Sequence, residues 1–257
     1  MKRIGIIGGM SYESTLHYYE QINRQVNKRA GGLTSADLVL RSVNFAEYHQ
    51  LMEAGAWDEI AHKLSFEALD LVMKNECDYI AIATNTMHKV ADRVAGPHEV
   101  ISGDNIWPPL VRKVAIPLVH IGDCVGEECK KSGARRVLLL GTKFTMAEKF
   151  MKEFLFKKYG IKVMAVSSRP EEVDEINRII FEELCHGIVR PESKEFIINF
   201  ITEFIYRFSV DSDFRPDAIV LGCTELNMLL KPSDVGLPLI DSTMAHINKL
   251  VDLCLSD

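Results

Sequence analysis

The 257-residue chain lacks the patterns that mark membrane proteins and nucleic-acid-binding proteins. No apolar run approaches the roughly 18 residues that a membrane-spanning helix needs. Lysine and arginine do not cluster, and the net charge is −6, so neither a membrane nor a nucleic acid is an expected partner. The opening stretch "MKRIGIIGGMSYEST" has too short an apolar core for a signal peptide and is typical of a first strand. We therefore expect a cytoplasmic protein.

The patterns of the common metal and nucleotide sites are missing too. The six cysteines include no C-x-x-C pair, and Cys124 and Cys129 have no second close pair to complete a zinc site. The glycines follow neither the G-x-G-x-x-G spacing of a dinucleotide loop nor the G-x-x-x-x-G-K-[ST] spacing of a phosphate loop. We expect no metal site, and neither of these nucleotide-binding patterns is present.

What the sequence does contain is a regular alternation of short apolar runs and helical segments. Runs such as "RIGIIG" (3–8), "YIAIA" (79–83) and "AIVLG" (218–222) are apolar throughout, which is typical of strands buried on both faces. Strands of this kind, separated by helices, predict an α/β fold whose parallel sheets are flanked by helices.

The helix predicted after the first strand shows how the core is expected to form. Leu16, Tyr19, Ile22 and Val26 share one face of this helix and are predicted to point inward. By contrast, the stretch 95–115 is rich in proline and glycine and predicts an irregular connection, with a role as a lid, a dimer contact or a plain loop left open.

Three pairs of segments repeat in the same order along the chain. "RIGIIGGMSYEST" is similar to "RVLLLGTKFTMAE", "DYIAIATNTMH" to "DAIVLGCTELN", and "IPLVHIGD" to "LPLIDSTM". One such match is weak, because strand-turn-helix units look alike, but three in order favour duplicated halves. We therefore predict two similar α/β domains that face each other, in preference to a single sheet.

Polar residues follow two of the repeated strands, at the edge where open parallel sheets bind ligands. These are residues 84–86 and 223–225, and each set begins the next helix. A thiol at a helix N-terminus has its anion stabilised, so its pKa can fall below the usual value. This position distinguishes Cys223 from the other cysteines, although a small residue at a strand-helix junction can also be purely structural.

The glycine run "GIIGGM" sits between the first strand and the first helix. It allows two interpretations, which the sequence does not separate. It is either a tight turn, or a set of backbone amides that holds an anion such as a carboxylate, with Met10, Ser11 and Thr15 contributing.

Four motifs together resemble the aspartate/glutamate racemase family, a group of cofactor-independent amino-acid racemases. They are "IGIIGGMSYEST", "ATNTMHKVAD", "GCTE" and "LPLIDST", and the resemblance covers essentially the whole chain. It implies two domains related by a pseudo-twofold axis, with the active site in the cleft between them. The first domain would comprise residues 1–115 plus 236–257 and the second residues 116–235. The implied substrate is a small amino acid or dicarboxylate, and a homodimer is expected because two-fold dimers are the commonest oligomers.

The resemblance also implies one catalytic cysteine on each side of the substrate Cα. Cys223 matches one of them, but the other position holds Thr84, whose hydroxyl is too weak an acid to serve as a base without an activating partner. Three interpretations stay open. Thr84 relays or donates a proton on one face, so that one enantiomer is preferred; or His88, one helical turn on, supplies the titrating group; or racemisation has been lost.

The remaining candidates are predicted to bind the substrate. Asn85, Thr86, Thr224 and Glu225 complete the two turns, although Asn and Thr are also common helix starters. Lys194 is a candidate because family members often carry a basic residue in this region. Residues 241–243 follow another strand and are further candidates. The alternatives to a racemase are a single-thiol isomerase or decarboxylase acting on a dicarboxylic acid, and a non-catalytic dicarboxylate-binding protein.

Overall fold

The computed structural model describes residues 1–102, 110–164, 170–208 and 215–256. The strands, in chain order, are β1 (Ile4–Gly8), β2 (Leu38–Ser42), β3 (Tyr79–Ile82), β4 (His98–Ser102), β5 (Leu110–Val114), β6 (Arg136–Leu140), β7 (Lys162–Met164), β8 (Ala218–Leu221) and β9 (Leu239–Asp241). One parallel sheet has the order β2-β1-β3 and the other has the order β7-β6-β8-β9. The predicted α/β fold with parallel sheets is confirmed.

Helices pack on both faces of the two sheets. They are α1 (Tyr12–Ala30), α2 (Phe45–Glu53), α3 (Trp57–Met73), α4 (Ala91–Ala95), α5 (Ile121–Ser132), α6 (Lys143–Ala147), α7 (Phe150–Tyr159), α8 (Pro170–Arg178), α9 (Pro191–Arg207), α10 (Leu226–Leu229) and α11 (Ser242–Cys254). A π-helical segment, Ile179–Glu183, continues α8. Of the helices in the described ranges, none has both the length and the apolar character to cross a membrane.

The three repeated pairs of segments occupy matched places in the two sheets. β1 and β6 are central strands, and β3 and β8 lie beside them. On its other side, β3 has the segment at Leu118 as a parallel neighbour, and β8 has β9. Ile80 donates its N–H to Pro117 O at 2.9 Å, and Ile219 donates its N–H to Pro238 O at the same 2.9 Å. The segment at Leu118 thus stands to β3 as β9 stands to β8. The two halves are similar α/β units, as the repeats predict.

We call the part of the chain up to the end of α5 the first half and the rest the second half. The last helix of each half packs on the sheet of the other half. α11 shares a core with Ile4 and Ile6 of the first sheet, whereas α5 shares a core with Val137 and Leu139 of the second. The division into 1–115 plus 236–257 and 116–235 stays a prediction, but two strand assignments differ from the sheets. Leu118 lies beside the first sheet and β9 lies in the second, because each of these segments hydrogen-bonds the strand before it.

The inward face of α1 differs from the predicted one. Ile22 and Val26 are buried as expected, but Leu16 is 61% exposed and Tyr19 is 52% exposed. Tyr18 takes the inward position instead, and its hydroxyl hydrogen-bonds a buried histidine of α11 at 2.9 Å. Tyr18 and Tyr19 are the same residue type, so apolar spacing does not choose between them, and the row at i, i+4 and i+8 from Tyr18 forms the buried stripe.

The connection predicted to be irregular contains paired strands. β4 and β5 pair in antiparallel register from His98 opposite Val114. Residues 103–109, which include Trp107, lie outside the described residues, so the suggested lid or dimer contact is untested. Pro97 falls directly before β4, where it need not donate a backbone N–H to the ladder.

Candidate active site

A small cavity lies between the carboxyl ends of the two sheets. Thr84 reaches it from the end of β3 and Cys223 from the end of β8, so the two halves supply opposite strand ends. The cavity measures about 20 Å³, which is room for a single water-sized molecule. Its lining comprises Met10, Phe45, Met52 and residues 84–87 from the first half, and Thr142, Ile180, Phe181, Cys185 and residues 222–225 from the second.

The Cys223 thiol is buried and donates a hydrogen bond to a carboxylate. Its Sγ lies 3.0 Å from Oε2 of Glu225, and the residue is only 6% exposed. Burial, followed by the negative charge of Glu225, raises the pKa of Cys223 well above its ordinary value. The predicted lowering of the pKa by a helix N-terminus is therefore wrong. The helix that follows, α10, is a single turn beginning at Leu226, and the carboxylate lies much closer to the thiol.

Glu225 accepts hydrogen bonds from both halves of the molecule. Its Oε1 accepts from the Ser11 hydroxyl at 2.6 Å, and its Oε2 accepts from the Thr224 hydroxyl at 2.7 Å. The Sγ of Cys185 lies 3.8 Å from Oε1. These donors compensate a carboxylate that is 3% exposed. The sequence predicted Ser11, Thr224 and Glu225 as substrate-binding residues, and the structure brings them together around the thiol.

His88 lies behind Thr84 and contacts its backbone. The Nδ1 atom is 2.8 Å from Thr84 O, and the Nε2 atom accepts the N–H of Ile121 at 3.1 Å. A backbone N–H can only donate, so Nε2 carries no hydrogen and Nδ1 donates to the carbonyl. Burial, and then the nearby rings of His120 and His246, lower the pKa of His88 well below its ordinary value. The ring is therefore neutral, and it fixes the turn that carries Thr84.

Asn85 offers the cavity a buried hydrogen-bond acceptor. The hydroxyl of Ser242 donates to Leu221 O at 2.6 Å, so it must accept from Asn85 Nδ2 at 2.9 Å. This orientation of the amide leaves Oδ1 buried, with no partner among the described residues. An unpaired buried acceptor at a cavity wall is suited to a ligand that donates N–H groups.

Three threonine hydroxyls meet across the cavity. Thr86 Oγ1 lies 3.2 Å from Thr142 Oγ1 and 3.3 Å from Thr145 Oγ1, and all three residues are buried. Thr142 and Thr145 were absent from the sequence-predicted site. The internal repeat could have indicated Thr142, because it aligns this residue with Gly9 of the first half, and both directly follow a strand and its closing glycine.

The glycine run forms a tight turn beside the cavity. Gly9 has φ +92°, and its N–H donates to Thr15 Oγ1 at 2.7 Å. The same hydroxyl donates to Ser11 O at 2.7 Å, so Thr15 closes the turn from within. Met10 lines the cavity, as predicted for a residue of the site.

Lys194 lies apart from the cavity. Its Nζ is 2.8 Å from Asp234 Oδ2, and it is not among the residues that line the cavity. The expectation that Lys194 supplies positive charge to the substrate is not met in this conformation, because the Asp234 carboxylate compensates that charge locally. Within the described residues, no group of three or more His, Cys, Asp or Glu side chains is placed to hold a metal ion.

An outer chamber of about 440 Å³ adjoins the cavity. Phe45, Phe181 and Cys185 line both spaces and so form the partition between them. Phe45 begins α2 of the first half and Phe181 belongs to the second, and their rings stack with centroids 6.1 Å apart. The partition therefore joins the two halves through aromatic contact.

Comparison with known proteins agrees with this architecture. A sequence model described as Asp/Glu/Hydantoin racemase matches residues 7–250. A putative Asp/Glu racemase from Yersinia pestis is 35% identical, with a TM-score of 0.79 and all of both chains covered. An aspartate racemase homologue from Pyrococcus horikoshii is also 35% identical, with a TM-score of 0.76 and the same full coverage. An aspartate racemase from Picrophilus torridus shares the fold at 19% identity, with a TM-score of 0.65 over 99% of this chain and 94% of the other.

Proposed function

Because the chain belongs to the Asp/Glu/hydantoin racemase family and is therefore an isomerase, we propose that it racemises a small amino acid by removing and returning the Cα proton. The family resemblance suggests aspartate, glutamate or a similar small amino acid, handled without a cofactor. The observation that carries the proposal is the placement of Cys223 and Thr84 at matched strand ends on the wall of one cavity.

In the proposed reaction the two faces of the substrate meet different groups. Cys223, as thiolate, takes the Cα proton on one face and becomes the thiol, and Thr84 gives its hydroxyl proton to Cα on the other face and becomes the alkoxide. Loss of a proton from Cys223 to solvent and uptake of one by Thr84 then restore the starting state. A thiol can be deprotonated far more readily than a threonine hydroxyl, so the Cα proton is abstracted faster by Cys223 than by Thr84. The enantiomer whose Cα–H points to Cys223 therefore exchanges its Cα proton faster.

Polar groups of both halves are suited to the rest of the substrate. The unpaired Oδ1 of Asn85 can accept a hydrogen from the substrate ammonium. The hydroxyls of Thr86 and Thr142 line the same cavity and can donate to the α-carboxylate as negative charge builds in the transition state. His88 supports this arrangement through the backbone of Thr84 and needs no change of its own protonation.

Proton exchange at Cα tests the proposal directly. Each enantiomer of a panel of amino acids, with aspartate and glutamate included, is incubated with the protein in D₂O and followed by NMR. We expect exchange with one enantiomer of a pair to be faster by about tenfold or more, because the two bases differ in kind. The absence of exchange with every amino acid in the panel contradicts the racemase proposal.

Two variants locate the chemistry. Cys223→Ala is expected to abolish exchange, whereas Cys124→Ala, a buried cysteine of α5, serves as the matched control and keeps it. Thr84→Cys is expected to make the rates of the two enantiomers more equal, because each face then meets a thiol. Full activity in Cys223→Ala would show that another residue is the base.

The second candidate function rests on the missing second thiol. A protein with Cys223 alone can act as a single-thiol isomerase or decarboxylase on a dicarboxylic acid, or bind a dicarboxylate without turnover. Release of CO₂, or binding by calorimetry without Cα exchange, distinguishes these from racemisation.

We further propose a cytoplasmic homodimer. The exposed row of Leu16 and Tyr19 on α1 supports self-association, which light scattering tests.

A further inference from the structure

The walls of the cavity divide into a polar side and an apolar side. The polar side carries the hydroxyl and amide groups that follow β3 and β8. The apolar side consists of Met10, Phe45, Met52, Met87, Ile180 and Phe181. Four of these six side chains are almost fully buried, with exposures of 1 to 3%. A side chain placed against them loses its contact with water.

The arrangement of the reacting groups directs the substrate side chain toward this apolar side. With Cα between Thr84 and Cys223, the α-carboxylate, the ammonium and the side chain fill the remaining directions. The first two require the polar groups, because an unpaired charge in a buried site is costly. The side chain is left with the wall of methionine and phenylalanine.

Charges around the cavity disfavour an acidic side chain. The buried charged residue in the lining is Glu225, an acidic group that repels a second carboxylate. No lysine or arginine occurs among the residues that line the cavity or the outer chamber in the described ranges. Two lysines of the second half are paired elsewhere, Lys143 with Glu53 at 3.0 Å and Lys194 with Asp234 at 2.8 Å. A side-chain carboxylate would enter this part of the cleft without a lysine or arginine to meet it.

The outer chamber, beyond the aromatic partition, has room for a longer side chain. The inner cavity of about 20 Å³ adjoins the outer chamber of about 440 Å³ only across shared residues that include Phe45 and Phe181. Their contact joins side chains of different halves, so separation of the halves parts the rings. Methionine adapts its shape more readily than branched residues do, and Met52 and Met10 line the inner side.

We propose that the substrate is an amino acid with an uncharged apolar side chain, of the methionine or leucine kind, which packs on the Met10, Met52 and Phe181 wall. This inference rests on the proposed exchange of the Cα proton, and it departs from the acidic substrates that the family resemblance suggests. The wall acts as the specificity determinant: it gives apolar surface to the side chain and no counter-charge to a carboxylate.

Cα exchange in D₂O again supplies the test, now as a ratio between substrates. We expect methionine or leucine to exchange at least about tenfold faster than aspartate and glutamate at equal concentration. Faster exchange of aspartate or glutamate overturns the inference but leaves the racemase proposal intact. Failure of exchange with every amino acid contradicts the racemase proposal itself, so the two failures are distinct.

A lysine introduced into the apolar wall tests whether the substrate side chain packs there. Met52→Lys is expected to raise the glutamate-to-methionine ratio by about tenfold. Met73→Lys makes the same change at a residue that is 45% exposed, and it is expected to leave the ratio unchanged. Phe181→Lys, at a half-buried position, gives a second measurement should Met52→Lys fail to fold. An unchanged ratio in a folded wall variant places the substrate side chain elsewhere and overturns the inference.

Discussion

The Sγ atom of Cys223 lies 3.0 Å from Oε2 of Glu225, with both residues buried at the end of the same strand. Two negative charges at this distance in a buried site are strongly disfavoured, so the pair holds one proton between them. Thiolate can form without adding a second charge if the S–H proton moves to Oε2. The carboxylate then becomes a neutral acid while the sulfur becomes the anion, and the net charge of the pair is unchanged.

Glu225→Gln is therefore expected to slow Cα exchange by about a hundredfold, because the thiol loses its proton acceptor. Glu195→Gln, at an exposed position of α9, is the matched control. Unchanged exchange in Glu225→Gln would show that the carboxylate only organises its neighbours.

A second prediction concerns three histidines behind Thr84: His88 and His246, which are buried, and His120, which is half-buried. Burial lowers the pKa of His120 to about 4 and that of His246 to about 3. The unfolded chain takes up protons below about pH 6.5, where the folded protein does not. The free energy of unfolding is therefore constant above that pH and falls as the pH decreases toward 4, and His120 alone accounts for about 2 kcal/mol between pH 7 and pH 5.

Urea unfolding at several pH values measures this slope. His120 caps α5, its Nδ1 accepting the N–H of Gly122 at 3.0 Å, and asparagine is also a good cap. His120→Asn is thus expected to retain the helix and to flatten the pH dependence. The exposed His62→Gln is expected to change nothing. An unaltered slope in His120→Asn would assign the acid sensitivity to other groups.

The strand ends of the site could be predicted from the sequence because they depend on neighbouring residues. Thr84 and Cys223 each follow an apolar run, and the internal repeat relates them without knowledge of the fold. The contacts of Glu225 could not be predicted in this way. Ser11 reaches it from 214 positions away, and only the facing of the two sheets brings them together. The charge that raises the thiol pKa was therefore missed, and the helix effect was overvalued.

The inward faces of helices show the same limit. Apolar spacing on α1 is satisfied equally by the row containing Leu16 and by the row containing Tyr18. The choice is made by Tyr18, whose hydroxyl hydrogen-bonds His246 of α11. Because that partner arrives from the other end of the chain, the local pattern cannot distinguish the two rows.

Ser242 supports a third prediction, for substrate binding. Its hydroxyl holds the Asn85 amide so that Oδ1 stays the free acceptor. Ser242→Ala removes that restraint and is expected to raise KM for the amino acid several-fold, about 1 kcal/mol, with a smaller change in kcat. Ser256→Ala, an exposed serine near the end of the chain, is the control. A change in kcat alone would indicate that Asn85 acts on the transition state and not on binding.

The last prediction concerns Gly9, whose turn positions Met10 and Ser11. Its φ of +92° disfavours a side chain, and a Cβ atom there would approach Val43 O to 2.3 Å. Gly31 has φ +77° but open space around its Cβ position, so it isolates the effect of the backbone angle. We expect Gly31→Ala to cost about 1 kcal/mol of unfolding free energy. Gly9→Ala is expected to cost at least about 2 kcal/mol more, because the contact is with backbone that cannot move aside. Chemical denaturation measures both values, and equal losses would show that Val43 yields to the added methyl group.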